Sequence, residues 1–468
     1  MDTVKKVVVI GGGITGLSTM YYLQNWKRQH GLEIELLLIE KNNQLGGKIR
    51  TVYHNGFKIE SGADSIVANK KDVLPLLEDL QLNDDIVYNA TGTSFIYTDH
   101  QLHKMPDGCV YGIPTSIAAL NNSALVSKQG KEAALKDLDS ENIRFTKEDS
   151  IGEFLECFLG KEMVEKQISP ILSGVYSGNL YDLSIASTLP YLLDYKNEYG
   201  SIIRGLAANP LQANKNNKKF ISFKNGLKTL IDQLESKLTD VTILKGVQTS
   251  SVQKEKHGYA ITCENYDTIQ ADTIVLSIPH NAAQQLLNDE KLDQNFNRLK
   301  NSSLISIYLG FDLPDSKLPT DGTGFIVSSE DTDLLCNACT WTSRKWPNTS
   351  TDGKLLTRLF YKSSIPSYEQ LNNMNENELL KVAMMDIEKS LGLKDMPISV
   401  EVTKWTNLMP NYTIEHPECI RLLNMDLEKT YPNVHLAGCS YYGVGIGACI
   451  TNGKNLAERL AKNLFVFA

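Results

Sequence analysis

Gly11, Gly13 and Gly16 stand at the spacing G-x-G-x-x-G inside "VVVIGGGITGLSTMYYL". A β-forming run precedes them and an apolar segment of helical period follows. That order suits a pyrophosphate: the first glycine permits a tight turn, the second lets backbone approach the ligand, and the third lets helix pack on strand. The backbone of Gly11, Gly12, Gly13, Ile14, Thr15 and Gly16 then offers N–H groups to an anion at the positive end of the helix. The next strand, "IELLLIE", ends in Glu40, a carboxylate placed to accept ribose hydroxyls. Three glycines can also be a plain turn, and a strand-terminal Glu a solvated charge. The two in register point to a dinucleotide site. "CNAC" (Cys336–Cys339) has no second ligand pair at zinc spacing, and reads as strand with its thiols on opposite faces. No Ser-His-Asp or Cys-His constellation offers a nucleophile.

These residues require a βαβ unit: strand Lys6–Ile10, helix from Ile14 to about Gln29, strand Glu33–Ile39. Residues near 70 to 210 read as mostly helical, with apolar side chains at helical spacing in "KKDVLPLLEDLQL" and "SIGEFLECFLGKEMVEKQISPILSGVY". From Val241 the pattern turns to strands. Residues of about 300 to 405 alternate as half-buried strands do, with one helix near Glu376–Leu391. The last stretch reads as a strand, a Gly-rich loop and a long helix.

A chain of 468 residues exceeds one core, so two or three domains are expected. The net charge of -8 and the shortness of the basic clusters exclude a nucleic-acid face. No stretch reaches the ~18 apolar residues of a membrane span. Eight scattered cysteines and the lack of an h-region before the first strand lead to the expectation of a reduced, cytoplasmic setting. "GEFLECFLG" and "LAKNLFVFA" read as core, leaving at most peripheral membrane contact.

After Glu40 come "KNNQLGGKIRT" and "GFKIESGADSI"; further on lie "FISFKNGLKTLIDQL", "GVQTSSV" and "VHLAGCSYYGVGIGACI". In this combination the chain resembles the flavin-dependent amine oxidase and protoporphyrinogen oxidase superfamily. "PILSGVYSGNLYDLS", "CTWTSRKWP" and "GVGIGACI" are most similar to the coproporphyrinogen III oxidases of Gram-positive bacteria. The resemblance implies an α/β fold with a Rossmann-type FAD-binding domain, a mixed-sheet substrate domain and a helical subdomain. The FAD-binding domain would comprise residues 1–70, 213–295 and 405–468. The helical subdomain would span 71–212 and the substrate sheet 296–404.

The same resemblance implies non-covalent FAD held by the glycine loop, Glu40 and Lys41. Gly47, Lys48, Gly62, Ala63, Asp64 and Ser65 would lie on the flavin side, Val247 at the adenine, and Trp405, Val444, Gly445 and Ile446 near the ring. Lys48 stands where most members have arginine, and Ala448 where an Asp is usual. It further implies oxidation of coproporphyrinogen III in three two-electron rounds, with dioxygen as acceptor and hydrogen peroxide as by-product. Transient contact with a ferrochelatase would follow. "TGTSFIY" offers no arginine near Ser94 for a propionate. Lys71, Tyr176 and Tyr361 are the candidate substrate residues, with exposed lysine and core tyrosine as their ordinary alternatives. Other readings stay open. The substrate could be protoporphyrinogen IX, or the enzyme a carotenoid desaturase or an amine oxidase with Tyr441 and Tyr442 as an aromatic pair, and a non-catalytic binder of the dissociation-inhibitor type would share the fold.

Overall fold

The computed structural model describes residues 4–90, 93–176, 178–210, 220–319, 322–328 and 333–466. Its first layer is a parallel five-stranded sheet in the order Val241–Lys245, Ile34–Glu40, Lys5–Ile10, Thr273–Leu276, Val434–Leu436. Both faces are covered, which is why its strands read as continuous apolar runs rather than alternating ones. Helices Ile14–His30, Lys228–Lys237 and Ile446–Val466 cover one face. Helices His280–Leu287 and His416–Thr430, with a small antiparallel sheet at 249–271, cover the other. The opening and closing helices cross closely because Gly453 has no side chain: a Cβ there would lie 2.7 Å from the Thr15 carbonyl oxygen.

The second layer is a seven-stranded sheet in the order Ser399–Asn411, Lys300–Pro314, Lys354–Lys362, Ala338–Trp341, Gly324–Val327, Ser94–Thr98, Gln101–Lys104. All its pairings are antiparallel except Gly324–Val327 with Ser94–Thr98. One face packs its fully buried Leu355, Leu359 and Tyr361 against helix Glu376–Leu391. This sheet corrects the expected boundaries in two places. The hairpin at 94–104 belongs to it, although that stretch falls in the segment read as helical. Strand Ser399–Asn411 also runs through the break placed at 404/405. Short strands with period-two alternation are masked when long helices surround them in sequence.

The helical subdomain gathers Ile151–Leu159, Ser169–Tyr176, Pro190–Tyr199 and Ile202–Ala208 around its own core. A π-helical turn at Val164–Ile168 precedes Ser169–Tyr176. Inside this core Lys196 donates to the Asp137 carboxylate at 2.8 Å, and both side chains are fully buried. Asp137 also accepts from the Ile202 and Ile203 N–H groups and from the Ser201 hydroxyl. Lys196→Met leaves that carboxylate without its cation, and we expect a loss of about 3–5 kcal/mol in unfolding free energy. Denaturant titration of parent and variant measures it; unchanged midpoints would contradict the expectation.

Candidate functional site

The four glycines of the opening loop have different reasons to be glycine. A Cβ on Gly11 would stand 2.3 Å from the Ser277 carbonyl oxygen, one on Gly12 2.4 Å from Leu45, and one on Gly16 2.1 Å from the Gly11 carbonyl oxygen. Backbone packing requires glycine at 11 and 16, whereas at Gly12 the nearest atom is the movable end of the Leu45 side chain. Packing does not require it at Gly13, whose φ of -73° suits any residue and where a Cβ would meet nothing within 4 Å. The space above Gly13 lies at the N-terminus of helix Ile14–His30, whose cap makes no side-chain hydrogen bond and whose first turn carries no acidic residue. Such a terminus leaves first-turn N–H groups to an external anion. Gly445, just before the closing helix, is open in the same way.

Glu40 ends its strand buried and already engaged. One carboxylate oxygen accepts the Gly12 N–H at 2.8 Å, and the other accepts the Asn42 N–H at 2.9 Å. The second oxygen also accepts the Asn42 side-chain amide at 2.7 Å, so the oxygen bonded to Gly12 is the one that retains a lone pair for a hydroxyl. The Val247 N–H donates to the Glu40 carbonyl at 3.1 Å, which brings the two backbones together. Lys41 is exposed next to it. Gly46 N–H donates to the Gly12 carbonyl at 2.8 Å, so the second glycine pair folds back on the first; Gly47 lies over Gly13. Lys48 reaches the Cys439 sulfur at 3.4 Å.

The E-x-G segment forms the opposite wall. Glu60 is buried, accepting from the Leu227 N–H at 2.8 Å and the Thr51 hydroxyl at 2.9 Å. Burial raises its pKa to about 7 despite those two donors. Trp405 donates its indole N–H to the Ser61 carbonyl at 3.2 Å and lies against Gly62. Arg358, which sequence reasoning missed, donates to the Gly62 carbonyl at 2.9 Å and to the Ser306 hydroxyl at 2.8 Å, with its guanidinium over the Tyr308 ring. Lys345, also missed, pairs with Asp64 at 3.0 Å. Burial would raise Asp64, but Lys345 and Arg358 outweigh it and hold the carboxyl well below the usual range. Ser65 donates to Asp64, and Ala63 N–H donates to the Lys48 carbonyl. Strand Lys354–Lys362 carried the signal for Arg358: a cation inside an apolar run buried on both faces needs a partner.

The C-terminal loop closes the site with Val444 exposed and Ile446 buried. Tyr412 latches it, accepting the Gly443 N–H at 2.5 Å and donating to the Cys439 carbonyl at 2.7 Å. That hydroxyl supplies a polar tie in a loop where Ala448 has none to give.

Other expectations change. Tyr361 is no pocket residue: it is fully buried on the far face of the sheet, its hydroxyl donating to Asp386 at 3.0 Å. Residue parity decides this, since odd positions of its strand face the helices and even ones face the site. The Tyr176 side chain lies outside the described residues. Lys71 is exposed beside Lys70, whose side chain covers Gly447 in the closing helix. Tyr441 is buried and tilted 49° to Tyr442, which bonds Asn424, so the two do not form facing walls. Cys336 and Cys339 enter one core instead of opposite faces, because the strand begins only at Ala338. Among the described residues no His/Cys/Asp/Glu group could hold a metal, and no helix is long and apolar enough to cross a membrane.

A nucleotide cradle at the carboxyl ends of a parallel sheet, facing a mixed sheet through an E-x-G wall, defines a flavoprotein-type oxidoreductase. The model of the flavin containing amine oxidoreductases matches residues 14–461, and the chain belongs to that family. It is 34% identical to a coproporphyrinogen III oxidase of Bacillus subtilis (strain 168), over 99% of both chains. It is 31% identical to one of Staphylococcus aureus (strain NCTC 8325 / PS 47), over 98% of this chain and all of that one. Among solved structures, a protein described as a candidate protoporphyrinogen oxidase from Exiguobacterium sp. 255-15 superposes with a TM-score of 0.89 at 30% identity, covering 98% of this chain and 99% of that one.

The raised Glu60 has a signed consequence. Between its ordinary value of 4.5 and about 7 the unfolded chain ionises while the folded chain keeps its proton. Stability therefore falls as pH rises through that window and levels off above it. Glu60→Gln, which still accepts the Leu227 N–H, should remove the slope and gain roughly 2–3 kcal/mol relative to the parent at pH 8. Denaturation at pH 5 and pH 8 checks it; parallel profiles would count against the assignment.

Proposed function

We propose that this chain holds FAD non-covalently and oxidises coproporphyrinogen III to coproporphyrin III with dioxygen, releasing hydrogen peroxide, in haem biosynthesis. The observation that carries the reading is identity of 34% and 31% across full length to proteins so named, joined to a site whose residues fit the cofactor. The fit rests on the open space over Gly13 and the engaged but unsaturated Glu40 carboxylate. A flavin bound there supplies two-electron oxidation without an amino-acid nucleophile.

The chain's own residues bind and orient. First-turn N–H groups of Ile14, Thr15 and Gly16 would take the diphosphate, Glu40 the ribose hydroxyls, and Val247 the adenine. Gly62, Ala63 and Trp405 would flank the ring, with Gly445 and Ile446 opposite. Asp64 is held ionised between Lys345 and Arg358, so it offers no proton at neutral pH. Burial also pushes the Cys449 thiol up to about 12, which supports non-covalent attachment. Lys71, at the rim beside Lys70, is a cation available to a substrate carboxylate.

Gly13→Val tests the cradle. The side chain enters space that the protein leaves open, so the variant should fold as the parent does and purify without flavin absorbance. A folded variant of full flavin content would remove Gly13 from the site. The substrate is tested by kcat/KM for coproporphyrinogen III and protoporphyrinogen IX on one preparation. Preference for the first is expected; preference for the second would favour the reading that the Exiguobacterium protein's description suggests, with the same cofactor site.

A further inference from the structure

Cross-strand register gives the site-facing side of the seven-stranded sheet a definite inventory. Residues directly opposite in paired strands share a face. Trp405, Leu304 and Lys362 form one row across three strands. Phe360, Ala338, Ile326 and Ile96 form the next, and Arg358, Thr340, Gly324 and Ser94 the one beyond. Arg358 is tied to Gly62 and Trp405 lies on it, so this face begins at the E-x-G wall. Phe360 and then Lys362 lead away from that wall.

Ile96, Tyr308, Leu356 and Arg358 on this face are buried, but around Lys362 it is less tightly packed than its opposite. Leu355, Leu359, Tyr361, Ile305 and Ile307 on the far side are fully buried. Leu304, Ile326, Ala338, Phe360, Lys362 and Trp405 all remain half-buried. Helix Ser169–Tyr176 lies over them without closing on them: a Cβ on Gly174 would meet only the Ile326 methyl, at 4.0 Å. Apolar side chains that stay accessible between a sheet and a covering helix mark a slot, lined here by carbon and ended by a cation.

Lys362 is that cation. One N–H of its ammonium donates to the Ser173 carbonyl at 2.8 Å. Among the described residues no carboxylate pairs with it. Burial lowers its pKa to about 8 although its side chain is still partly accessible, the combination expected of an ammonium facing an enclosed space rather than bulk water. Desolvating an unpaired cation is unfavourable and is offset when an anion joins it. The row spacing puts Lys362 two strands, or about 10 Å, from Trp405, and four residues, about 13 Å, from Arg358.

We propose that Lys362 is a carboxylate-binding residue of the substrate slot, its ammonium pairing with a propionate on the edge of the tetrapyrrole remote from the E-x-G wall. Phe360, Ile326 and Leu304 then form the apolar floor under the macrocycle. The assignment rests on the porphyrinogen reading above and deepens it: one carboxylated edge is held by charge.

Binding of the proposed product separates this from a structural role. Flavin-loaded parent, Lys362→Met and Lys362→Arg are titrated with coproporphyrin III and with its tetramethyl ester, following quenching of tryptophan fluorescence. Lys362→Met should weaken the acid about ten- to hundredfold, the range of a lost hydrogen bond to a charged group, and leave the ester unchanged. Lys362→Arg keeps the charge and should recover most of the acid's affinity. Lys362→Gln retains a donor for the Ser173 carbonyl and should show the same acid-selective loss as Met. Equal affinity of Met variant and parent for the acid overturns the assignment, and so does an equal loss for acid and ester. A parent that binds neither porphyrin overturns the functional reading itself, and this one with it.

Discussion

The structure depends on two close approaches of backbones. The Gly11 carbonyl occupies the space where a side chain on residue 16 would stand, and the Thr15 carbonyl occupies that of residue 453. Without those two absences the opening helix could not seat its first turn on the end of its own strand, nor could the closing helix cross it. Packing is close to crystalline density in such places, so a single methyl is felt as a clash rather than absorbed. Gly13 and Gly445, each just before one of these two helices, both have open space beside them. Gly13 itself is free of any packing demand, and that contrast with Gly11 and Gly16 separates a ligand's requirement from a fold's.

Around that volume the protein distributes charge by wall. Glu40 faces the cradle and is oriented by two backbone N–H groups, which fix its direction before any hydroxyl arrives. Across the site Asp64 is enclosed by Lys345 and Arg358, and Arg358 is itself held by Ser306 and the Gly62 carbonyl. Two cations, Arg358 and Lys345, thus meet one ionised carboxylate at this wall, and the role proposed for Lys362 would add a third. For a substrate bearing several carboxylates this is the complementary sign. It also leaves Asp64 without a proton to give near neutral pH.

The sheet divides its labour by parity. On strand Lys354–Lys362 the odd residues build a dry core against helix Glu376–Leu391, and the even residues meet the site. A shift of one residue would exchange the two sets, so the register with strand Lys300–Pro314 is what delivers Arg358 to Gly62. Tyr361 and Lys362 are neighbours in sequence and have opposite fates for this reason alone.

Much of this molecule is written in local pattern. The glycine spacing, the helical period after it and the terminal Glu40 specify the βαβ unit and its cradle within about forty residues, because turn sterics and strand–helix packing act over that range. The order of elements along the chain was legible for the same reason, as was the resemblance carried by motifs such as "GFKIESGADSI" and "GVGIGACI". Pairing between distant segments was not. That Ser94–Thr98 joins a sheet built from residues 300 to 411, that Tyr412 rather than a residue of the C-terminal loop latches that loop, and that Lys362 rather than Tyr361 faces the slot all follow from strand register and helix placement. Those are set by the sum of many weak contacts across the whole core, and no short window of sequence contains them.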